Sequence, residues 1–285
     1  MKIQSIIDTL KKATDNYGRI SPKSIDQLII GDSTQEVTGI ATTFMATVPV
    51  IKKAIENRVN FIITHEPTWA NGHDRTERLQ NDPVYQAKRK LIKDNKLVIW
   101  RFHDHMHFGG DHDMVVTGVA KALDWTDYLV PADPNGKNVL ETAETCFEIP
   151  EQPLADVMAY VEHKLGLKTV RFIGNPKQRV SRIAALIGGA SLGLGDEQNP
   201  IEQMRDQNID LAICGDITEW TLAAYVRDAV DMGFSKSMVV IGHERSEEPG
   251  MHYLTEWVHE LTQQPVQWID AQEPWHYETV VTSND

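Results

Sequence analysis

Short apolar runs closed by polar residues, and separated by stretches of helical periodicity, set the rhythm of this chain. Val59 to Ile63 is apolar but for Asn60 and ends in Thr64-His65-Glu66-Pro67. Leu97 to Phe102 ends in His103-Asp104-His105-Met106-His107, and Met238 to Ile241 ends in Gly242-His243-Glu244. Runs rich in Ile, Val and Phe, bounded by turn residues, predict buried strands of a largely parallel sheet covered by helices, an α/β fold.

The intervening pattern agrees. Ile3, Ile6, Ile7 and Leu10 recur at helical spacing, and so do Val48, Ile51 and Ile55. Strands are expected at Ile25–Ile30 and Val37–Phe44, with Gly31-Asp32 as a turn, so that residues 37–64 form a βαβ unit. A charged helix is expected from about Asp82 to Asp94 and another up to Leu123. Residues 126–150, with Pro131, Pro134, Gly136 and Pro150, read as a connection. Beyond it, a helix to Leu165 and a strand over Lys168–Ile173 lead to two further strands. Ile183–Ile187 ends in Gly188-Gly189, and Leu211–Cys214 ends in Gly215-Asp216. Thr221–Met232 and about Gly250–Leu261 read as helices, and Val266–Ile269 as a last strand. The division this suggests is a first α/β lobe over 1–126, a connection and start of a second lobe over 127–178, and the rest over 179–285.

Composition narrows the field. At 285 residues the chain is long enough for two domains, and Lys+Arg of 28 against Asp+Glu of 41 leave a net charge of −13. Such a chain is a poor non-specific ligand for nucleic acid or anionic membrane, and its one basic stretch, Lys88 to Lys96, reads as a solvated helix face. No apolar run approaches the ~20 residues of a membrane span, and no secretory core follows Met1. The two cysteines, Cys146 and Cys214, form no metal or disulfide spacing, which points to a cytoplasmic protein with reduced thiols.

Ligands of open α/β sheets gather beyond the carboxyl ends of the strands. His65, His103 and His243, each just past a strand, are therefore expected to converge, although 178 positions separate the first from the last. A single histidine at a strand end is most often an ordinary loop residue; the joint pattern favours a metal site. Imidazole and carboxylate together suit Zn, Mn or Fe. His243 and Glu247 share a face if their segment is helical. His103-x-His105-x-His107 with Asp111-His112 also has the look of the metallo-β-lactamase signature, but His107 stands where that signature needs aspartate.

These segments resemble the Nif-three-like dinuclear metal centre proteins, some of which bear the name GTP cyclohydrolase 1 type 2. Phe61 to Pro67 is similar to that family's strand ending in a histidine pair, and Phe102 to His107 to its second loop. Ile213 to Glu219 resembles its G-E motif, and Gly242 to Glu247 its G-H-x-x-x-E motif. The resemblance implies two intertwined α/β lobes and two divalent ions per chain. Its implied ligands are His65, Glu66, His107, His243 and Glu247, with His103 close by. Glu66 replaces the second histidine of the pair and His107 replaces an aspartate, so the exchange keeps three histidines and two carboxylates. Glu66 is then expected to share the bridging role; a shift of register would instead make Asp104 or Asp111 the carboxylate.

The chemistry implied is hydrolysis by metal-bound hydroxide. Asp104, His105 or Glu244 could carry the proton. No nucleophile elbow, P-loop or dinucleotide fingerprint competes. A small cyclic amide or nucleotide-type substrate is expected, and the resemblance implies a homohexamer. The rival expectation is a non-enzymatic metal-binding cage.

Overall fold

The computed structural model describes residues 1–15, 19–110, 112–131 and 145–278. Helix α1 (Ile3–Thr14) is followed by β1 (Leu28–Ile30), β2 (Ile40–Thr43), α2 (Val48–Glu56), β3 (Phe61–Thr64) and α3 (Pro83–Asp94). Then come β4 (Val98–Arg101), α4 (Asp104–Phe108) and α5 (Met114–Ala122). The second half runs β5 (Cys146–Pro153), α6 (Leu154–Leu165), β6 (Arg171–Ile173), β7 (Arg179–Leu186) and α7 (Asn199–Asp206). It closes with β8 (Leu211–Cys214), α8 (Leu222–Asp231), β9 (Ser237–Val240), α9 (His243–Thr262) and β10 (Val266–Trp268). Side-chain oxygens of Thr47, Asp82 and Asp113 cap α2, α3 and α5, each contributing about 1 kcal/mol.

The strands form two five-stranded sheets, ordered β1-β4-β3-β2-β10 and β5-β7-β8-β9-β6. Within them β10, β2, β3 and β4 are parallel, as are β7, β8 and β9; β1, β5 and β6 are antiparallel edges. The α/β class with largely parallel sheets is the one the apolar runs predict. The last strand, β10, returns to the first sheet beside β2.

Strand periodicity explains why the runs are apolar throughout. Phe61 and Ile63, Val98 and Trp100, Ile183 and Ala185, Leu211 and Ile213, and Val239 with Ile241 all face one shared core. That core also takes Ile3, Ile6 and Leu10 of α1, Val115 and Val119 of α5, and Met251 and Leu254 of α9. The alternate residues, Ile62 and Ile99 in one sheet and Ala212, Cys214 and Met238 in the other, pack into separate outer clusters. The strands β2, β3, β4, β8 and β9 are buried on both sides along their whole length, so alternation of polarity is lost while alternation of partner remains. No helix among the described residues is long and apolar enough to cross a membrane.

Two expectations are corrected. The 126–150 stretch read as a connection contains the start of β5, which pairs with β7 and shifts register between Glu148 and Gln152. Pro150 sits in that irregularity, at the edge of the sheet, where its missing N–H costs no ladder bond. Helix α9 begins at His243 rather than near Gly250 and carries Pro249 inside it. Proline in a helix costs about 3 kcal/mol. Here α9 lies directly on α5: a Cβ on Gly118 would stand 2.5 Å from Pro249 O, and one on Gly250 would stand 2.7 Å from Val115 Cα. The close packing of the two backbones offsets the proline. Pro134 and Gly136 of the expected connection lie outside the described residues.

Candidate metal centre

The carboxyl ends of strands from both sheets face one another, and the predicted ligands are carried there by short backbone steps. His65 and Glu66 follow β3, and His103 follows β4. His107 sits one turn along α4 from His103; His243 and Glu247 open α9 after β9. Donor atoms of His65, His103 and His107 lie within 4.8 Å of one another, as do those of His65, Glu66 and Glu247. His243 Nε2 is 3.1 Å from Glu247 Oε2 and 3.6 Å from Glu66 Oε1. Glu66 Oε1 is also 3.6 Å from His103 Nε2, so this carboxylate stands between a histidine that follows the first sheet and one that follows the second.

All four histidines are oriented alike. Nδ1 of His65 faces the Phe102 carbonyl at 3.3 Å, that of His103 faces Asp104 at 2.9 Å, that of His107 faces Asp113 at 2.8 Å, and that of His243 faces Asp216 at 2.7 Å. Carbonyl and carboxylate oxygens only accept, so each Nδ1 carries its hydrogen and Nε2 is the ring atom that a metal ion would bind. Metal-binding histidines are held by acceptors in this way, which sets tautomer and ring direction together. The donor set fits divalent metal: four imidazole nitrogens and two carboxylates, with no thiolate.

Electrostatics follow from this crowding. Burial, with His103, His107 and Arg101 nearby, holds His65 well below its usual range, so its ring is neutral. Burial opposes ionisation of Glu66, yet its bond to His243 and the charges of His103 and Arg101 prevail and lower its pKa. Burial also opposes protonation of His107 and His243, but Asp113 pushes the first up to about 9. Asp216, Glu247 and Glu66 push the second up to about 12. His107 Nε2 accordingly donates to His65 Nε2 at 3.2 Å. Protons held there occupy the positions that metal would take.

The three candidates for proton transfer are placed differently. Asp104 is committed to His103 Nδ1 and to the Ile25 N–H; burial works against its ionisation, but these bonds pull its carboxyl down to about 2. His105 points away from the cluster, bonded to Asp26 and stacked on Phe102. Glu244 belongs to a separate acidic group with Glu248 and Asp270. Arg245 stands among those carboxylates, Nη1 2.6 Å from Glu248 Oε2 and Nε 3.2 Å from Glu244 Oε2, where a bound cation would otherwise sit. Asp111 lies outside the described residues.

Three supporting residues escape a reading of the chain as separate segments. Arg101, 2% exposed, donates from Nε to His65 O at 3.0 Å and from Nη1 to Gly72 O at 2.8 Å, and reaches Glu66 Oε2 at 3.3 Å. Its signal was a charge inside an otherwise apolar strand. Asp113 both caps α5 and holds His107, and only the cap is visible as a sequence pattern. Gly188, which closes the Ile183–Ile187 run, has φ +51°, and a Cβ there would overlap Glu247 Oε1.

Comparison with known proteins places this architecture. A GTP cyclohydrolase 1 type 2 homolog of Clostridium perfringens (strain 13 / Type A) is 24% identical over 292 residues, covering 97% of this chain and 100% of the relative. The Staphylococcus aureus hypothetical protein SA1388 superposes with a TM-score of 0.71 at 21% identity, over 98% of this chain and 99% of that one. A Bacillus cereus protein related to NIF3 gives 0.70 at 15% identity over 98% and 99%. At these identities the structural likeness speaks for the fold. The family match spans residues 1–274, and the chain belongs to the Duf34/NIF3 (NGG1p interacting factor 3) family.

Proposed function

We propose that this protein binds two divalent metal ions between His65, Glu66, His103, His107, His243 and Glu247, and uses them to hydrolyse a small cyclic amide or nucleotide-type substrate. The observation that carries the reading is the common orientation of four imidazoles: each Nδ1 is bonded to an oxygen, the Nε2 atoms of His65, His103 and His243 turn toward Glu66 and Glu247, and that of His107 turns toward His65 Nε2. Bound divalent metal supplies an acidified water and polarises a carbonyl or phosphoryl oxygen.

The chain's own residues do the rest. Glu66 and Glu247 contribute two negative charges that offset repulsion between cations. Asp104, Asp113 and Asp216 hold the histidine tautomers. A cavity of about 830 Å³ opens beside Glu66 and His243 and is lined also by Phe44, Arg171, Trp275 and Tyr277. Its size and its mix of aromatic and charged groups suit a small-molecule ligand. Glu244 lines this cavity and is the one sequence candidate for proton transfer that does. The names of the curated relatives, GTP cyclohydrolase 1 type 2 homologs, fit the same substrate class. The cavity favours an enzyme over a closed cage.

Elemental analysis of purified protein tests the first half: about two ions per chain are expected, with a sharp fall in His65→Ala and Glu247→Ala at unchanged circular dichroism. Incubation with nucleotides and cyclic amides tests the second, and an absence of metal-dependent turnover across the panel would leave the cage. The homohexamer implied by family resemblance is part of the same proposal, and light scattering on the eluted protein reads it directly.

A further inference from the structure

We infer that Asp26 is a positioning residue of the metal centre, setting the reach of His103 and His107 without touching either imidazole. The inference rests on the metal-centre reading above. Helix α4 has five residues, too few to hold itself by its own hydrogen bonds, and its N-cap residue makes no side-chain capping bond. The cap comes from 77 positions earlier in the chain. Asp26 Oδ1 accepts the His103 and Asp104 N–H groups, both at 2.7 Å, and Oδ2 accepts the His105 N–H at 3.1 Å.

The same carboxylate decides which histidines face the metals. Residues 103 and 107 share a helix face, whereas 105 points roughly 200° away at ~100° per residue. Asp26 Oδ2 takes His105 Nδ1 at 2.5 Å and pins that ring on the far side, against Phe102. His105 is thereby an anchor, and His103 and His107 are left facing His65, at ring separations of 4.4 and 5.0 Å. Neighbouring bonds zip the two segments together: Ile25 N–H to Asp104 Oδ2 at 3.1 Å, and Gln27 with Arg101 in both directions at 3.2 and 2.9 Å. The Asp26 side chain is fully buried, so no water replaces it.

The test compares Asp26→Asn with Asp210→Asn in the full-length chain. Asp210 also caps backbone N–H groups, of Ser181 and Arg182 at 3.0 Å each, but at the amino end of β8, away from the centre. Zn²⁺ affinity is read by competition with a chromophoric chelator, and ligand geometry by the visible spectrum of the Co²⁺ form. Asp26→Asn is expected to lose roughly 10- to 100-fold in affinity and to shift the Co²⁺ bands, as outer-shell changes do. Asp210→Asn should match wild type in both even where its melting temperature falls. Wild-type affinity and spectrum in Asp26→Asn would overturn the assignment. Should that variant fail to fold, Asp26→Glu, which keeps the charge and displaces it by one methylene, is read in the same way. Failure of the wild type itself to bind any divalent ion would remove the metal reading, and this inference with it.

Discussion

Gly188 and Glu247 stand so close that no Cβ fits between them: one built on Gly188 would overlap the Glu247 carboxylate. The loop after β7 and the first turn of α9 are thus packed backbone against a proposed ligand, and Gly188 N–H donates to Ser246 Oγ at 2.9 Å beside that contact. Glu247 is 3% exposed and cannot retreat into solvent.

Gly188→Ala should therefore damage the centre from a residue that ligates nothing. The positive φ alone disfavours alanine by roughly 1 kcal/mol, and displacing Glu247 adds to this. Expected is a loss of about 1–3 kcal/mol by urea denaturation together with metal affinity lowered by more than about tenfold. A variant that binds metal as wild type does would show that Glu247 is not held by this contact.

Asp113 divides its two oxygens between duties. Oδ1 accepts the Val115 and Val116 N–H groups of α5, and Oδ2 faces His107 Nδ1. Asp113→Asn can keep the cap while turning an N–H₂ toward His107, which inverts the ring's tautomer and puts hydrogen on Nε2. Metal affinity should drop roughly 10- to 100-fold with α5 intact by circular dichroism. Asp113→Ala should lose about 1 kcal/mol of stability as well, because the cap goes too. Equal affinity in wild type and Asp113→Asn would exclude the orienting role.

The crossing of α5 and α9 has no spare room. Gly118→Ala places a methyl group 2.5 Å from Pro249 O and 2.6 Å from Gly250 Cα, so the helices must separate. Overpacking of this kind costs about 1–3 kcal/mol. Because α9 carries His243 and Glu247 at its start, chemical denaturation and metal titration of Gly118→Ala should both report the change.

Lys88 offers a pH signature from a residue outside the proposed metal ligands. Burial pulls its ammonium from the ordinary 10.5 down to about 8, against the pull of Asp74, while Nζ donates to Thr68 O at 2.6 Å over the Trp69 ring. Between those two values the unfolded chain keeps a proton that the folded chain has released. Stability from this residue therefore rises with pH across that window, and the full cost of burying the cation is present below about 8. Measured against Lys88→Met, wild type should gain in urea midpoint from pH 8 to 10.5. A constant difference would mean that Lys88 titrates as an exposed lysine.

Much of the fold was legible because its central strands are buried on both faces. Runs such as Phe61–Thr64 and Ser237–Val240 stand out against amphipathic helices, and their polar ends mark the rim where ligands collect. The resemblance carried by those ends pointed to the same family as the full match. Two features were hidden for local reasons. Proline and glycine at 249 and 250 argue against a helix, and only contact with α5 overrides them. Likewise β5 is an edge strand broken at Pro150, so its pattern is weak until β7 supplies the partner.

Residue types at the strand ends, their helical spacing and the acidic balance of the chain were properties of the sequence itself. Tertiary structure alone decided that His103 and His107 turn toward His65 while His105 turns to Asp26. It alone placed Arg101 and Asp113 behind the donor atoms, and put Arg245 among the acids around Glu244. The physical reason is that local pattern reports the period of a segment and the solvent it avoids, whereas the direction of a ring is set by an acceptor arriving from another part of the chain.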